Sequence, residues 1–402
     1  MRVRGALHSP AAVRYYGASV QAFGGPAMAA DRRAVIKAAL GAGVALAAGA
    51  ESAMAAGVPA GKRDYKRIAT EEAWNIPEIL AAQVQYATSA AAPNDSGLQM
   101  ALMFSKMPAL QQQLMDIGPG RLQRMDELGI DKQLLLLTSP GVQVLPPDLG
   151  TNLAALSNDR LAEAIGKYPD RYAGLLLFAP QDVPSAVREI ERGMTKLKLN
   201  GAVVNSNTQG HYLDEPQFLP ILEALEALDA ALYIHPVVPP RSWYEPYEYR
   251  GFGGALAGFS HEVWMHVQGL IFSGAFDRFP KLRVVIGHMG EAMPLLLYRF
   301  DWMQYNADNR AGLRGGQPPV KLKNKVSYYF KNNIWITTSG VAWEPAVKFC
   351  QDVLGPERVI YAMDYPYQVS KDEVDAYDRM QMPAAHKKML MQTNAERVFR
   401  LA

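Results

Sequence analysis

Eight short apolar runs, each ending in a small or polar residue and followed by a stretch of helical period, constrain this chain more than any other feature. The runs are "KRIATEE" (66–72), "QLLLLTS" (133–139), "YAGLLLFAP" (172–180), "GAVVNS" (201–206), "ALYIHP" (231–236), "LRVVIGHMG" (282–290), "IWITTSG" (334–340) and "VIYAMDYP" (359–366). Strands that are apolar throughout, alternating with amphipathic segments such as "DVPSAVREIERGMTKLKLN", belong to a parallel sheet covered on both faces. Eight such units predict a closed (β/α)8 TIM barrel rather than an open doubly wound sheet. No glycine-rich phosphate fingerprint follows the first strand, which argues against a dinucleotide site. Two connections are too long for turns, from Trp74 to about Gly120 and from Pro236 to about Ser260. Long βα loops cap the C-terminal face of such barrels and carry substrate contacts. The second, "VVPPRSWYEPYEYRGFGG", has the aromatic content to suit a flat apolar ligand.

The N-terminal segment reads differently. Residues 31–56, "DRRAVIKAALGAGVALAAGAESAMAA", join Arg32 and Arg33 to an apolar Ala/Gly/Leu/Val run and a small-residue "AMA" site. That is the pattern of a twin-arginine export signal, too short and too rich in Gly and Ala for a retained membrane span. Residues 28–56 are therefore expected to be a signal peptide and residues 57–402 the barrel domain, with a periplasmic location; a non-functional leader would leave the protein cytoplasmic. Residues 1–27 lack any acidic residue and precede Met28. They read as an over-extended start or a basic leader. The formal net charge of +2 leaves no basic stripe for nucleic acid. The single cysteine, Cys350, excludes an intramolecular disulfide and a Cys/His zinc knuckle, and its setting in "AVKFCQDVLG" is that of a small buried hydrophobe.

In a barrel, the C-terminal ends of all strands face one mouth. Read in order, those ends give Glu71, Thr138, Asn205, His235, His288 and Asp364. Polar groups closing apolar strands are costly to bury without partners. Glu71 and Glu72 are adjacent, so a strand points them to opposite faces. Two imidazoles and two carboxylates at four separate strand ends point to a divalent ion held by Glu71, His235 and Asp364, with His288 close by. Mixed imidazole and carboxylate donors suit Zn²⁺ or Mn²⁺. Three protein ligands leave coordination positions open to water or substrate. His261, Glu262 and His266 share a predicted helix at a spacing unsuited to a helical zinc pair, and read mostly as structural.

"HP" after strand five, "GHMGE" after strand six and "MDYP" after strand eight resemble the amidohydrolase superfamily. Together with "GIDKQLLLLTSPGVQ", "TQGHYLDE", "TSGVAWEPAVKFCQ" and "QTNAERVF", they are similar to its decarboxylase branch. That branch includes the aminocarboxymuconate-semialdehyde, γ-resorcylate and 5-carboxyvanillate decarboxylases. The likeness runs from about residue 66 to the C-terminus. Many hydrolases of the superfamily carry His-x-His on strand one. Here "EEAW" places Ala73 where the γ-resorcylate enzymes carry a histidine, so strand one offers one ligand and leaves a more open ion.

The resemblance implies non-oxidative decarboxylation of a hydroxylated aromatic acid, with the ring carbon protonated before CO₂ departs. Asp364 is then the metal-proximal acid and His288 its orienting or relaying partner, or the two exchange roles. Hydrolysis of a lactone or amide by metal-activated water is the alternative. Phe259 and Tyr367 match positions that contact the ring, and Thr138 is a candidate to bond a substrate oxygen. Lys106, in "MFSKMPAL", stands about where the 5-carboxyvanillate enzyme carries an arginine; a lysine offers a point charge rather than a bidentate fork. Arg299 lies eleven residues past His288, roughly 16 Å along a helix leading away from the mouth. In the branch resembled, an arginine at this spacing reaches a substrate carboxylate in the adjacent subunit. The chain is accordingly expected to form a homodimer, or a tetramer built from dimers, with Arg299 completing the partner's pocket.

Overall fold

The structure, a computed structural model, describes residues 63–309 and 320–401. The expected signal peptide and the boundary at residue 57 lie outside the described residues. Every one of the eight expected runs contributes a strand, all parallel, in chain order around a (β/α)8 barrel. They are β1 (Ile68–Trp74), β2 (Lys132–Leu137), a third strand in two pieces, β3 (Tyr172–Gly174) and β4 (Leu176–Leu177), then β5 (Ala202–Asn205), β6 (Leu232–His235), β7 (Val284–Ile286), β8 (Ile334–Thr337) and β9 (Val359–Ile360). The ladder changes partner inside the third strand: the Leu175 N–H donates to Leu135 O (2.9 Å), and the Leu176 N–H to Gly201 O (2.8 Å). β1 meets the segment that follows β9 through Thr70 N–H to Tyr361 O (3.2 Å) and Ala73 N–H to Tyr365 O (2.8 Å).

Both faces of these strands are buried; all six residues of β2 are, for example. This is why the runs read as continuously apolar rather than alternating. Each fully buried Leu or Ile contributes about 1.5–3 kcal/mol relative to exposure. The helices are placed by ordinary signals. Val183–Thr195 starts where Asp182 accepts the Ser185 N–H (3.2 Å) and buries Ala186, Ile190 and Gly193 along one face. Gly193 lets that helix approach β4 closely, since a Cβ there would stand 2.7 Å from Leu176 Cδ2.

The two long connections are more regular than their composition suggests. The segment after β1 folds into helices Pro77–Ala87, Ser96–Ser105 and Pro108–Met115 before Pro119–Leu128 leads into β2. Three of these begin with proline in the first turn, and Asp95 caps the fourth by accepting the Leu98 N–H (2.9 Å). The segment after β6 contains the short turns Arg241–Tyr244 and Glu245–Arg250, with Trp243, Tyr247 and Tyr249 exposed. Cys350 is buried on helix Glu344–Leu354, and burial pushes its thiol up to about 12. Among the described residues no helix is long and apolar enough to cross a membrane.

Candidate metal centre and active site

The barrel mouth gathers Glu71, His235 and Asp364 so that one donor atom from each lies within 4.8 Å of the others. Glu71 is fully buried. One of its carboxylate oxygens, Oε2, accepts from Tyr233 OH and from Thr337 Oγ1 (2.9 Å). The other, Oε1, is buried with no hydrogen-bond partner. It faces His235 Nε2 at 3.8 Å and His288 Nε2 at 3.7 Å. Those separations are too long for hydrogen bonds. The His235 separation fits two donors that share an ion, each roughly 2.1 Å from it.

His235 is oriented for such a role. Its Nδ1 lies 2.9 Å from Pro236 O and 3.0 Å from Ser139 Oγ. The carbonyl can only accept, so Nδ1 carries the proton and Nε2 turns a lone pair to the mouth. Burial above all lowers the His235 pKa, which favours the neutral, ligating imidazole. Asp364 shows the opposite response: burial and then the neighbouring Glu71 carboxylate push it well above the ordinary range. A divalent cation would relieve that repulsion, so the residues present fit a metal ion.

His288 completes the cluster from an unusual backbone. His288, Met289, Glu291 and Ala292 all have left-handed φ angles, between 51° and 60°, with Gly290 at 67°. Each such residue costs of order 1 kcal/mol or more, and such runs concentrate at functional sites. The turn brings Glu291 Oε1 to 2.6 Å from His288 Nδ1, which leaves His288 Nε2 4.0 Å from Asp364 Oδ2. Burial opposes a charge on His288, but Glu291, Glu71 and Asp364 outweigh it and push its pKa up to about 10.

Beside these groups opens a cavity of about 510 Å³, whose lining includes Phe259, His261, Trp264, His288, Asp364 and Gln368. Tyr367 is hydrogen-bonded to Thr138 Oγ1, and its ring lies 5.9 Å from that of Phe104. Lys106 caps helix Ser96–Ser105, is exposed and does not line the cavity. Asn205 is taken up in the barrel wall, accepting from Ser139 Oγ (3.0 Å). Arg299 is exposed on helix Met293–Asn309 and forms no ion pair among the described residues; the nearby Asp301 accepts instead from Ser327.

Residues 116–401 match the profile of the amidohydrolase family. The chain belongs to that family. A γ-resorcylate decarboxylase from Rhodococcus jostii is 32% identical over 347 residues, covering 83% of this chain and 98% of that one. A 5-carboxyvanillate decarboxylase from Novosphingobium aromaticivorans, solved with bound manganese and 3-methoxy-4-hydroxy-5-nitrobenzoic acid, is 45% identical. It superposes with a TM-score of 0.81 over 85% of this chain and 99% of its own. A dihydroxybenzoic acid decarboxylase from Polaromonas sp., solved with manganese and the inhibitor 2-nitroresorcinol, is 29% identical with a TM-score of 0.71, covering 84% and 97%.

Several residues around the site had passed unmarked in the sequence. Tyr233 stands two before His235 on the same strand face, so period two could have flagged it. Glu291 follows His288 by three, within "GHMGE", and the same one-turn spacing was its signal. His261, read with Glu262 and His266 as mostly structural, lines the cavity, although its Nδ1 is bonded to Ala257 O (2.9 Å). Its two companions are structural: Glu262 accepts from Asn207 Nδ2 (2.7 Å) and Tyr212 OH (3.0 Å), and His266 is buried against Ser206 and Leu213.

Proposed function

We propose that this protein is a manganese-dependent carboxy-lyase that removes CO₂ non-oxidatively from a hydroxylated aromatic acid of the 5-carboxyvanillate or γ-resorcylate kind. The observation that carries the reading is the convergence of Glu71, His235 and Asp364 beside an aromatic-walled cavity. Ala73 supplies no side-chain donor, so β1 contributes one ligand. Two carboxylates and one imidazole favour Mn²⁺ over Zn²⁺, and both manganese-bound relatives support that choice. When bound, the ion would supply a Lewis acid that templates phenolate and carboxylate together.

The chain's own residues do the rest. Simple loss of CO₂ would leave an aryl carbanion; protonating the ring carbon first makes the departing group leave a tetrahedral carbon. Asp364 holds that proton at Oδ2, within the cavity wall. His288, anchored by Glu291, stands 4.0 Å from that oxygen and relays its replacement proton. Phe259 lines the same cavity as Asp364 and supplies a ring-packing surface, whereas the Thr138 and Tyr367 hydroxyls are bonded to each other and do not line it. Lys106 is available only to a substrate group that reaches the rim.

The assembly is a homodimer, or a tetramer of dimers. Leu295, Tyr298, Trp302 and Tyr305 are 52–82% exposed at helical spacing, and Arg299 shares their face. Arg32 and Arg33 with the apolar run behind them support export to the periplasm by the twin-arginine route.

The test is a single preparation purified from its native host, assayed for bound metal, N-terminal sequence and CO₂ release from a panel of hydroxybenzoates. Stoichiometric manganese with CO₂ release is expected, and a mature chain starting near Ala56. Hydrolysis of lactones or amides without CO₂ release would overturn the lyase reading. A protein retained with its leader intact would overturn export.

A further inference from the structure

The second glutamate of β1 has no part in the metal centre, yet it is fully buried. Its carboxylate points away from the mouth into a polar relay. Arg121, also fully buried on helix Pro119–Leu128, donates from Nε to Gln133 Oε1 (2.7 Å). Gln133 donates from Nε2 to Glu72 Oε2 (3.2 Å), and Glu72 Oε1 accepts the backbone N–H of Met363 (3.1 Å). Met363 is the residue before Asp364.

The residue after Asp364 is held by the same group. Arg121 stacks its guanidinium over the Tyr365 ring, 4.5 Å from the centroid, and donates from Nη1 to Ala73 O (2.8 Å). The Ala73 N–H in turn donates to Tyr365 O (2.8 Å). Both neighbours of Asp364 are thus clamped to β1, while Asp364 itself sits at φ 76°, a left-handed conformation that is costly for a non-glycine residue. A buried glutamate and arginine are costly to keep unless something requires them. An apolar layer would pack the same space between sheet and helix, but it could not grip a backbone N–H.

We infer that Glu72, linked through Gln133 to Arg121, is a positioning residue that fixes the backbone of Asp364 and so sets where its carboxylate stands at the barrel mouth. The inference rests on the proposed function for its catalytic consequence, but not for its effect on the metal site. Glu72 touches neither substrate nor ion.

The test measures Mn²⁺ affinity of the metal-free full-length protein by titration, alongside kcat, KM and the thermal midpoint. Glu72→Gln keeps the shape but sets two amide donors against each other at Gln133. It should weaken Mn²⁺ binding on the order of 10-fold or more and lower kcat by on the order of 10–100-fold, with KM changed by less than about threefold. The double change Glu72→Gln/Gln133→Glu restores the donor order along the relay and should recover most of the Mn²⁺ affinity. Should Glu72→Gln fail to fold, Gln133→Met cuts the relay midway and should weaken Mn²⁺ binding in the same direction. Unchanged Mn²⁺ affinity in a folded Glu72→Gln or Gln133→Met protein would overturn the inference. So would a double variant that regains its thermal midpoint but not its affinity. A wild-type protein that binds Mn²⁺ but turns over no aromatic acid would instead defeat the proposed function and leave the positioning role measurable.

Discussion

Gly287 lies directly against the carboxylate of Glu71: a Cβ at Gly287 would stand 2.8 Å from Oε2 and 2.9 Å from Oε1. The backbone there is extended, at φ −77° and ψ −174°, so the glycine is required by space and not by conformation. Glu71 cannot easily retreat, since Tyr233 and Thr337 hold its Oε2. Gly287→Ala should therefore displace a metal ligand without altering the strand. Manganese titration should show at least a tenfold loss of affinity, and thermal melts a destabilisation of about 1–3 kcal/mol. Wild-type affinity would mean that the Glu71 carboxylate is not held where the ion binds.

Removing a ligand should separate metal loss from folding. In the metal-free protein burial, and then the neighbouring Glu71 carboxylate, raise the Asp364 pKa. Glu71→Gln should abolish metal retention while leaving the metal-free protein as stable as the wild type or more so. A chelator should lower the wild-type midpoint and cost about 2.7 kcal/mol of stability if the ion was present at a hundred times its Kd. The variant should not respond. Elemental analysis and paired melts check both halves, and His235→Ala should lose the metal as well.

The strands, their order and their ring of polar ends were legible because burial on both faces imposes an apolar run and the barrel imposes one mouth. Glu71, His235 and Asp364 could be grouped for that reason alone. What the sequence hid depends on groups that pair across elements. The relay from Arg121 through Gln133 to Glu72 joins a helix, two strands and the loop after β9, with no spacing to betray it. The left-handed turn at His288 was equally hidden, because only one of its five residues is a glycine. The connection after β1 looked like a loop because Pro and small residues dominate it, although three prolines start helices.

His266 gives the fold a pH dependence apart from the metal centre. It is fully buried, with Nε2 accepting the Leu213 N–H (3.2 Å) and Nδ1 set 3.2 Å from Ser206 Oγ, so the site is built for the neutral ring. Burial lowers its pKa to about 3. Below the ordinary value of about 6.5 the unfolded chain takes up a proton that the folded one refuses. Its contribution is therefore complete above pH about 6.5 and is lost as the pH falls toward 3. Between pH 7.5 and 5 the loss should be about 2 kcal/mol. His266→Gln keeps an acceptor for Leu213 and should remove that part of the slope. Urea denaturation at the two pH values measures it, and an unchanged slope would refute the assignment.

Arg299 offers the sharpest check on assembly. Its exposed guanidinium forms no ion pair among the described residues, and it shares a helix face with Leu295 and Trp302. If that face meets its counterpart in a second copy, Arg299 can reach a substrate carboxylate in the partner's pocket with a planar fork that binds both oxygens. Arg299→Ala should then raise KM for the aromatic acid at least tenfold while leaving manganese bound, and Asp364→Asn should abolish turnover outright. At substrate well below KM each variant alone is impaired, but a heterodimer of the two contains one site with both native groups. Mixing them should restore up to half of the activity expected of the dimers formed, read against heterodimers isolated by two different affinity tags. No recovery in isolated heterodimers, or full activity in a monomer at assay concentration, would show that Arg299 serves its own chain or none.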